Sequence, residues 1–159
     1  MKIALAQINT IVGDFTGNVE KIITYAQKSK DATCQLVVFP ELTVCGCPPH
    51  DLLTREDFVQ QNYRAISEIC TRAPHDIGIV VGFVEDNIEE CGKPLCNVVG
   101  LIYNGALIEK RYKRLLADYD IFDEGRYFEP GTENTPVKFM DVNLGLTICE
   151  DILHDNMYT

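Results

Sequence analysis

Three residues in this 159-residue chain combine a reactive side chain with a place at the end of an apolar run. They are Glu41 in FPELTVCGCPPHDLL, Lys113 in ALIEKRYK and Cys149 in NLGLTICED. Each run has the composition of a β-strand, and ligands of open α/β sheets gather beyond the carboxyl ends of the strands. A carboxylate, an ammonium and a thiol converging on one rim suit acyl transfer. The thiol is the nucleophile, the carboxylate takes its proton, and the ammonium with a backbone N–H stabilises the tetrahedral oxyanion. This assignment needs no histidine. Taken singly, each residue has a plainer reading: Glu41 as a solvated loop carboxylate, Lys113 as one surface charge among Lys110, Arg111 and Arg114, and Cys149 as a small core residue at a strand end. Their joint placement favours the chemistry.

The elements that must carry them alternate along the chain. KIALAQI (2–8) alternates as a strand, and Val19, Ile22, Ile23 and Ala26 then recur at helical spacing, with Glu20 near the start and Lys28 and Lys30 near the end. QLVVF (35–39) is a continuous apolar run of the kind buried on both faces. Thr54 and Asp57 resemble a capping box for a second helix, whose stripe uses Val59, Ile66, Ile69 and Cys70. DIGIVVGFVED (76–86) is a third strand. CNVVGLIYNGALIEKRYK (96–113) is a hairpin around Asn104-Gly105, an irregular stretch runs to about Thr135, and VKFM with VNLGLTIC forms a last hairpin around Asp141. The order β-α-β-α-β followed by antiparallel hairpins predicts α/β layers over a mixed sheet. Helices fall only in the first half, so the later strands need covering by chain beyond the start of a helix after Cys149.

Composition narrows the function classes. A length of 159 residues allows a single domain burying roughly 70% of its unfolded surface. A net charge of −10 without a dense Lys/Arg cluster argues against nucleic acid, and the N-terminal apolar run is interrupted before it completes a signal or a membrane span. A cytoplasmic protein is expected. The seven cysteines, at 34, 45, 47, 70, 91, 96 and 149, are odd in number and read mostly as small core residues. Cys45, Cys47, Cys91 and Cys96 with His50, His75 and His154 lack paired knuckle spacing, so no metal centre is expected.

The motifs together resemble a family. FPEL, the RYK lysine with LLADYDIFDEGRYFEPG after it, and LTICED around the cysteine are similar to the Glu-Lys-Cys signatures of the nitrilase (carbon-nitrogen hydrolase) superfamily. FPEL-x3-G-x-PP-x-DLL and Y-x-x-FDE-x-RYF resemble, more closely, the N-terminal glutaminase domain of glutamine-dependent NAD synthetases. The resemblance implies a four-layer αββα sandwich, incomplete in this chain, with residues 1–159 as a partial glutamine amidohydrolase domain. It implies Glu41 as general base, Lys113 at the oxyanion, Cys149 as nucleophile and Glu124 as a second glutamate that positions the lysine. It also implies Tyr119 and Glu150 as contacts for the amino-acid end of glutamine, and a homo-oligomeric parent enzyme.

Two departures stand out: Cys47 occupies a position where an aromatic residue is common in that family, and LLADYD replaces a commoner L-P-N-Y. The family domain continues past the nucleophile into further strands, covering helices and a glutamine-contacting serine. ATP and Mg2+ belong, by the same resemblance, to a synthetase domain, and no glycine-rich phosphate loop occurs here. The expectation is therefore a fragment with little activity alone. Two other readings stay open: an amidase of the same superfamily acting on a small free amide, and a catalytically silent interaction fragment.

Overall fold

The computed structural model describes residues 1–89 and 91–153. Five strands form one mixed sheet in chain order: β1 (Ile3–Leu5), β2 (Leu36–Val38), β3 (Gly78–Asp86), β4 (Leu95–Tyr103) and β5 (Ala106–Tyr112). β1, β2 and β3 run parallel, with Ile3 opposite Leu36 and Leu36 opposite Gly78, and β3, β4 and β5 run antiparallel. The parallel part needs crossovers, which helices α1 (Phe15–Asp31) and α2 (Glu56–Arg72) supply. The expected mixed sheet is present, with a shorter first strand than the alternation in 2–8 implies.

Both helices cover one face of the sheet. Asp14 caps α1 by accepting from Gly17 N at 2.9 Å, and Val19, Ile22 and Ala26 form its buried stripe. α2 buries Phe58, Val59, Ile66 and Ile69. Between the stripes and the sheet lie Val37, Ile79, Val81, Phe83 and Val98. The capping box expected of Thr54 and Asp57 does not form. Thr54 closes a 3-10 turn (His50–Thr54) and donates to Asp51 O at 2.8 Å, so its hydroxyl is spent locally. The helix then starts at Glu56, and Asp57 pairs with Arg55 instead, at 2.9 Å.

The opposite face meets a second, two-stranded sheet, β6 (Val137–Phe139) and β7 (Val142–Leu144). Val137, Phe139 and Ile148 pack on Leu36, Val80, Val99 and Leu101, and the Phe139 ring meets Tyr103 edge-on at 5.3 Å. Gly78 makes room for it, since a Cβ there would sit 2.6 Å from the ring. Three layers of an αββα arrangement are thus present among the described residues. The cover is uneven: in the row Leu5, Val38, Val80, Leu101, the last is fully buried while Leu5 is 80% exposed.

The segment carrying Cys149 differs from expectation. The pattern of VNLGLTIC predicts one continuous strand, but β7 ends at Leu144. Its last pair is with Val137, and the residue before Val137 is Pro136, which has no N–H to extend the ladder. Cys149 therefore comes after a span outside the ladder and opens a 3-10 turn, Cys149–Ile152.

Candidate active site

The site draws its side chains from the segments that leave three different strands. Glu41 lies three residues past β2, on a chain that crosses directly over β3. A Cβ on Gly82 would fall 2.4 Å from Leu42 N and 3.2 Å from Glu41 Cα, so glycine is what lets the Glu41 backbone lie on the sheet. Val44 N donates to Gly82 O at 3.1 Å and pins the crossing. Gly82→Ala is accordingly expected to cost about 1–3 kcal/mol through overpacking and to displace Glu41, lowering the reactivity of the site without touching any reactive side chain. Thermal melts and thiol-alkylation rates on the same variant check this.

Lys113 comes directly after β5. Its N–H donates to Asn97 O in β4 at 2.8 Å, which turns the side chain inward, where it is 1% exposed. The reading of Lys113 as an ordinary solvated charge does not hold. A buried ammonium needs partners, and two carboxylates supply them: Glu41 Oε1 and Glu124 Oε2, each 2.7 Å from Nζ. Glu124 sits in a 3-10 turn (Glu124–Arg126) and is fixed from behind by Ala117 N, which donates to Oε2 at 2.7 Å. Asn97 closes the ring: its Nδ2 donates to Glu41 Oε1 at 2.7 Å and to Glu124 Oε1 at 3.2 Å.

This crowding sets the electrostatics. Burial works to lower the Lys113 ammonium, but the hydrogen bonds it donates to Glu124 and Glu41 outweigh it and hold the group above the ordinary lysine value. Burial raises the Glu124 carboxyl, against the lowering effects of the Ala117 N–H and Lys113. Cys149 shares an open recess with Glu41, Gly82 and Val98. Burial and then the charge of Glu41 hold its thiol above the ordinary value, with Lys113 opposing. A thiol so placed needs a base to reach the thiolate at neutral pH, and Glu41 is the carboxylate beside it.

The turn at Cys149 is held by Asp151. This buried carboxylate accepts from Arg114 N and Leu115 N at 2.9 Å each, and from Ile148 N at 3.0 Å. It ties the cysteine turn to the segment after Lys113 and so fixes two of the reactive residues relative to each other. It also over-determines the backbone of Cys149, whose φ of 42° lies in the left-handed region that a non-glycine residue adopts at a cost. Glu150 is buried beside it, and Tyr119, 53% exposed, donates its hydroxyl to Glu150 Oε2 at 2.7 Å.

All six residues singled out from the sequence thus fall in one neighbourhood, in two groups: Glu41, Lys113, Glu124 and Cys149, and the Tyr119–Glu150 pair next to the cysteine. Sequence reasoning misses two others. Asn97 has a visible signal, a lone amide inside the apolar run CNVVGLI, and Asp151 has a weaker one, an acid three residues after the end of an apolar run. Cys47, exposed overall, has its thiol edge in a shallow neighbouring recess with Glu124 and Phe122, and this partial burial, then Glu41 and Glu124, push the thiol up to about 11. Among the described residues no group of three or more His, Cys, Asp or Glu side chains is arranged to hold a metal ion, and His154 lies outside the described residues.

The carbon-nitrogen hydrolase family model matches residues 2–159. The chain is 38% identical over 159 residues to a glutamine-dependent NAD(+) synthetase from Synechocystis sp., covering 98% of this chain and 28% of that protein. It superposes with a TM-score of 0.89 on the glutamine-dependent NAD+ synthetase of Acinetobacter baumannii, at 32% identity over 98% of this chain and 28% of that one. An amidase of the nitrilase superfamily from Nesterenkonia sp., 22% identical, shares the fold with a TM-score of 0.81 over 99% of this chain and 58% of its own. The chain spans little more than a quarter of the length of these synthetases. No helix among the described residues is long and apolar enough to cross a membrane. A ring of two glutamates around a buried lysine, a cysteine at a strained turn beside it, and a family match over almost every residue have one common explanation: the chain belongs to the carbon-nitrogen hydrolase family.

Proposed function

We propose that this chain forms part of a glutamine amidohydrolase site that supplies ammonia within a glutamine-dependent NAD synthetase. The observation that carries the reading is the buried Lys113, held at 2.7 Å by both Glu41 and Glu124 beside Cys149. Glu41 takes the thiol proton as Cys149 sulfur attacks the side-chain amide carbon. The carbonyl oxygen becomes an oxyanion, which the third N–H of the Lys113 ammonium and a backbone N–H of the cysteine turn stabilise. Collapse of the intermediate breaks the C–N bond, and Glu41 returns its proton to the departing ammonia. Water, deprotonated by the same carboxylate, then hydrolyses the thioester to glutamate and restores the thiol. Glu124 holds the lysine in place, and the Tyr119–Glu150 pair meets the amino-acid end of glutamine.

Ammonia released here amidates deamido-NAD in a separate synthetase unit, to which ATP and Mg2+ belong. The 98% match of this chain to 28% of the Synechocystis protein supports that division, as does the resemblance of FDEGRYF and PP-x-DLL. The parent enzyme is cytoplasmic and homo-oligomeric in this reading, and residues 1–159 are one part of its amidohydrolase domain. The 80% exposure of Leu5 and 48% exposure of Ile3, on the face that β6 covers elsewhere, mark apolar surface that such a domain buries.

Two measurements test this. In a chain extended to the full length of the synthetases, glutamine is expected to yield ammonia and glutamate in equal amounts, with NAD formed when ATP, Mg2+ and deamido-NAD are added. Ammonia from small free amides but none from glutamine would overturn the substrate. The 159-residue chain alone is expected to release negligible ammonia and to self-associate by light scattering, because its substrate recess is open and its sheet is uncovered at Ile3 and Leu5. A stable monomer turning over glutamine at the rate of the extended chain would overturn the fragment reading.

A further inference from the structure

Two buried asparagines, Asn62 in α2 and Asn97 in β4, lie near one another across β3, and they are used differently. Asn62 in α2 spends its amide on backbone: Nδ2 donates to Val84 O at 2.5 Å, and Oδ1 accepts from Val84 N at 3.3 Å. Val84 in β3 stands opposite Asn97 in β4. Asn97 does nothing of the kind with its side chain. Both of its N–H donors go to carboxylates, Glu41 Oε1 at 2.7 Å and Glu124 Oε1 at 3.2 Å, while its main-chain oxygen holds Lys113 N at 2.8 Å. Among the described residues no donor reaches its buried Oδ1. The amide is thus oriented by the two charges alone, since the flipped form would set an oxygen against both carboxylates and strand their lone pairs.

We propose that Asn97 is a positioning residue of the site, whose amide bridges Glu41 and Glu124 and keeps Glu41 aimed at Cys149. The inference rests on the reading of Glu41 as the base. Its physical content is a charge count. The ring holds two carboxylates and one ammonium, so a single cation faces two anions in a buried place. Lys113 bonds one oxygen of each glutamate. Asn97 adds a second donor to Glu41 Oε1 and the donor to Glu124 Oε1, supplying neutral N–H dipoles where a second cation would otherwise be needed. Without that bridge the two carboxylates lose the donor that holds them at a fixed spacing, and Glu41 is free to turn away from the thiol whose proton it takes. The titratable and charged groups facing the bridge are Glu41 and Cys47 from the segment after β2, Lys113 from the end of β5, Glu124 from its 3-10 turn, and Cys149 with Glu150 from the cysteine turn.

The test tracks carbamidomethylation of Cys149 by iodoacetamide as a function of pH, read by mass spectrometry of the Cys149 peptide. Unmodified protein, Asn97→Ala, Asn97→Asp and Asn62→Ala are compared, with a thermal melt of each. Asn97→Ala is expected to lower the Cys149 alkylation rate near neutrality by about tenfold, because a displaced Glu41 no longer takes the thiol proton, with recovery at higher pH where the thiol ionises unaided. Asn97→Asp keeps the shape but replaces the donor with a third carboxylate that repels Glu41, and is expected to lower the rate near neutrality at least as far, so the inference stays testable if the alanine variant does not fold. Asn62→Ala is expected to lower the melting temperature and leave the profile within about twofold of the unmodified protein. A profile for both Asn97 variants that coincides with the unmodified protein would overturn the proposal, as would an equal displacement by Asn62→Ala, which would make the effect one of packing. Alkylation reads the thiol and its base without glutamine, so this result and the substrate assignment can fail separately.

Discussion

Lys113→Met, made in a chain extended to the full length of the synthetases, is expected to lower glutamine hydrolysis by roughly 10²-fold or more, because it removes the cation aimed at the developing oxyanion. The structure adds a second consequence. Lys113 is 1% exposed, and its Nζ lies 2.7 Å from both Glu41 and Glu124, so methionine leaves a buried and a partly buried carboxylate facing each other. Breaking a buried pair by deleting one partner costs about 3–5 kcal/mol, and the melting temperature is expected to fall with the activity. The two effects separate when kcat is measured well below the variant's unfolding transition. Arg114→Met, one residue on, keeps the backbone N–H that Asp151 binds and is expected to change kcat by less than about threefold. Equal losses at the two positions would mean a diffuse electrostatic effect and would overturn the assignment of Lys113.

The second large effect concerns which thiol reacts. An electrophilic analogue of glutamine is expected to modify Cys149 and to leave Cys34 and Cys45 untouched over the same period. Cys45 is fully buried, and burial pushes its thiol far above the usual range. Cys96 is pushed up to about 11, first by burial and then by Glu85. Cys91 and Cys47 are exposed, so a small general alkylator reaches them too, and the glutamine-shaped reagent is what distinguishes affinity from access. Cys149→Ala is expected to abolish labelling. Adduct at Cys45 or Cys47 in place of Cys149 would overturn the nucleophile. Cys47 is the sharper control, since it opens onto the recess that Glu124 also lines.

Much of the fold is legible in the order of residues. Periodicity places the two α-helices and seven strands of the described residues, because an apolar stripe at helical spacing and an apolar run between turn residues each have few ways to be buried. Asn104-Gly105 marks its hairpin correctly: both residues have positive φ, 48° and 84°, as a tight turn between twisted strands requires. Boundaries fail where neighbours decide them. Thr54 loses its capping role to a preceding 3-10 turn, and the last strand stops at Leu144 because its partner runs into Pro136.

The chemistry divides in the same way. The residue types Glu41, Lys113 and Cys149, and their places after apolar runs, are local properties, readable from the chain alone together with the family they resemble. Their protonation and contacts are not local. Lys113 in EKRYK reads as one more surface charge, and only the fold, by bonding its N–H to Asn97 O and turning the side chain inward against Glu41 and Glu124, makes it a buried ammonium. Asn97 is 56 residues from Glu41 in the chain and 27 from Glu124, a separation that no sequence spacing encodes. Asp151 reaches back 37 residues to Arg114 N. Strand order and register bring about these meetings, because the energy of a buried charge depends on which distant donors the sheet brings within hydrogen-bonding distance, and that is a property of the packed chain alone.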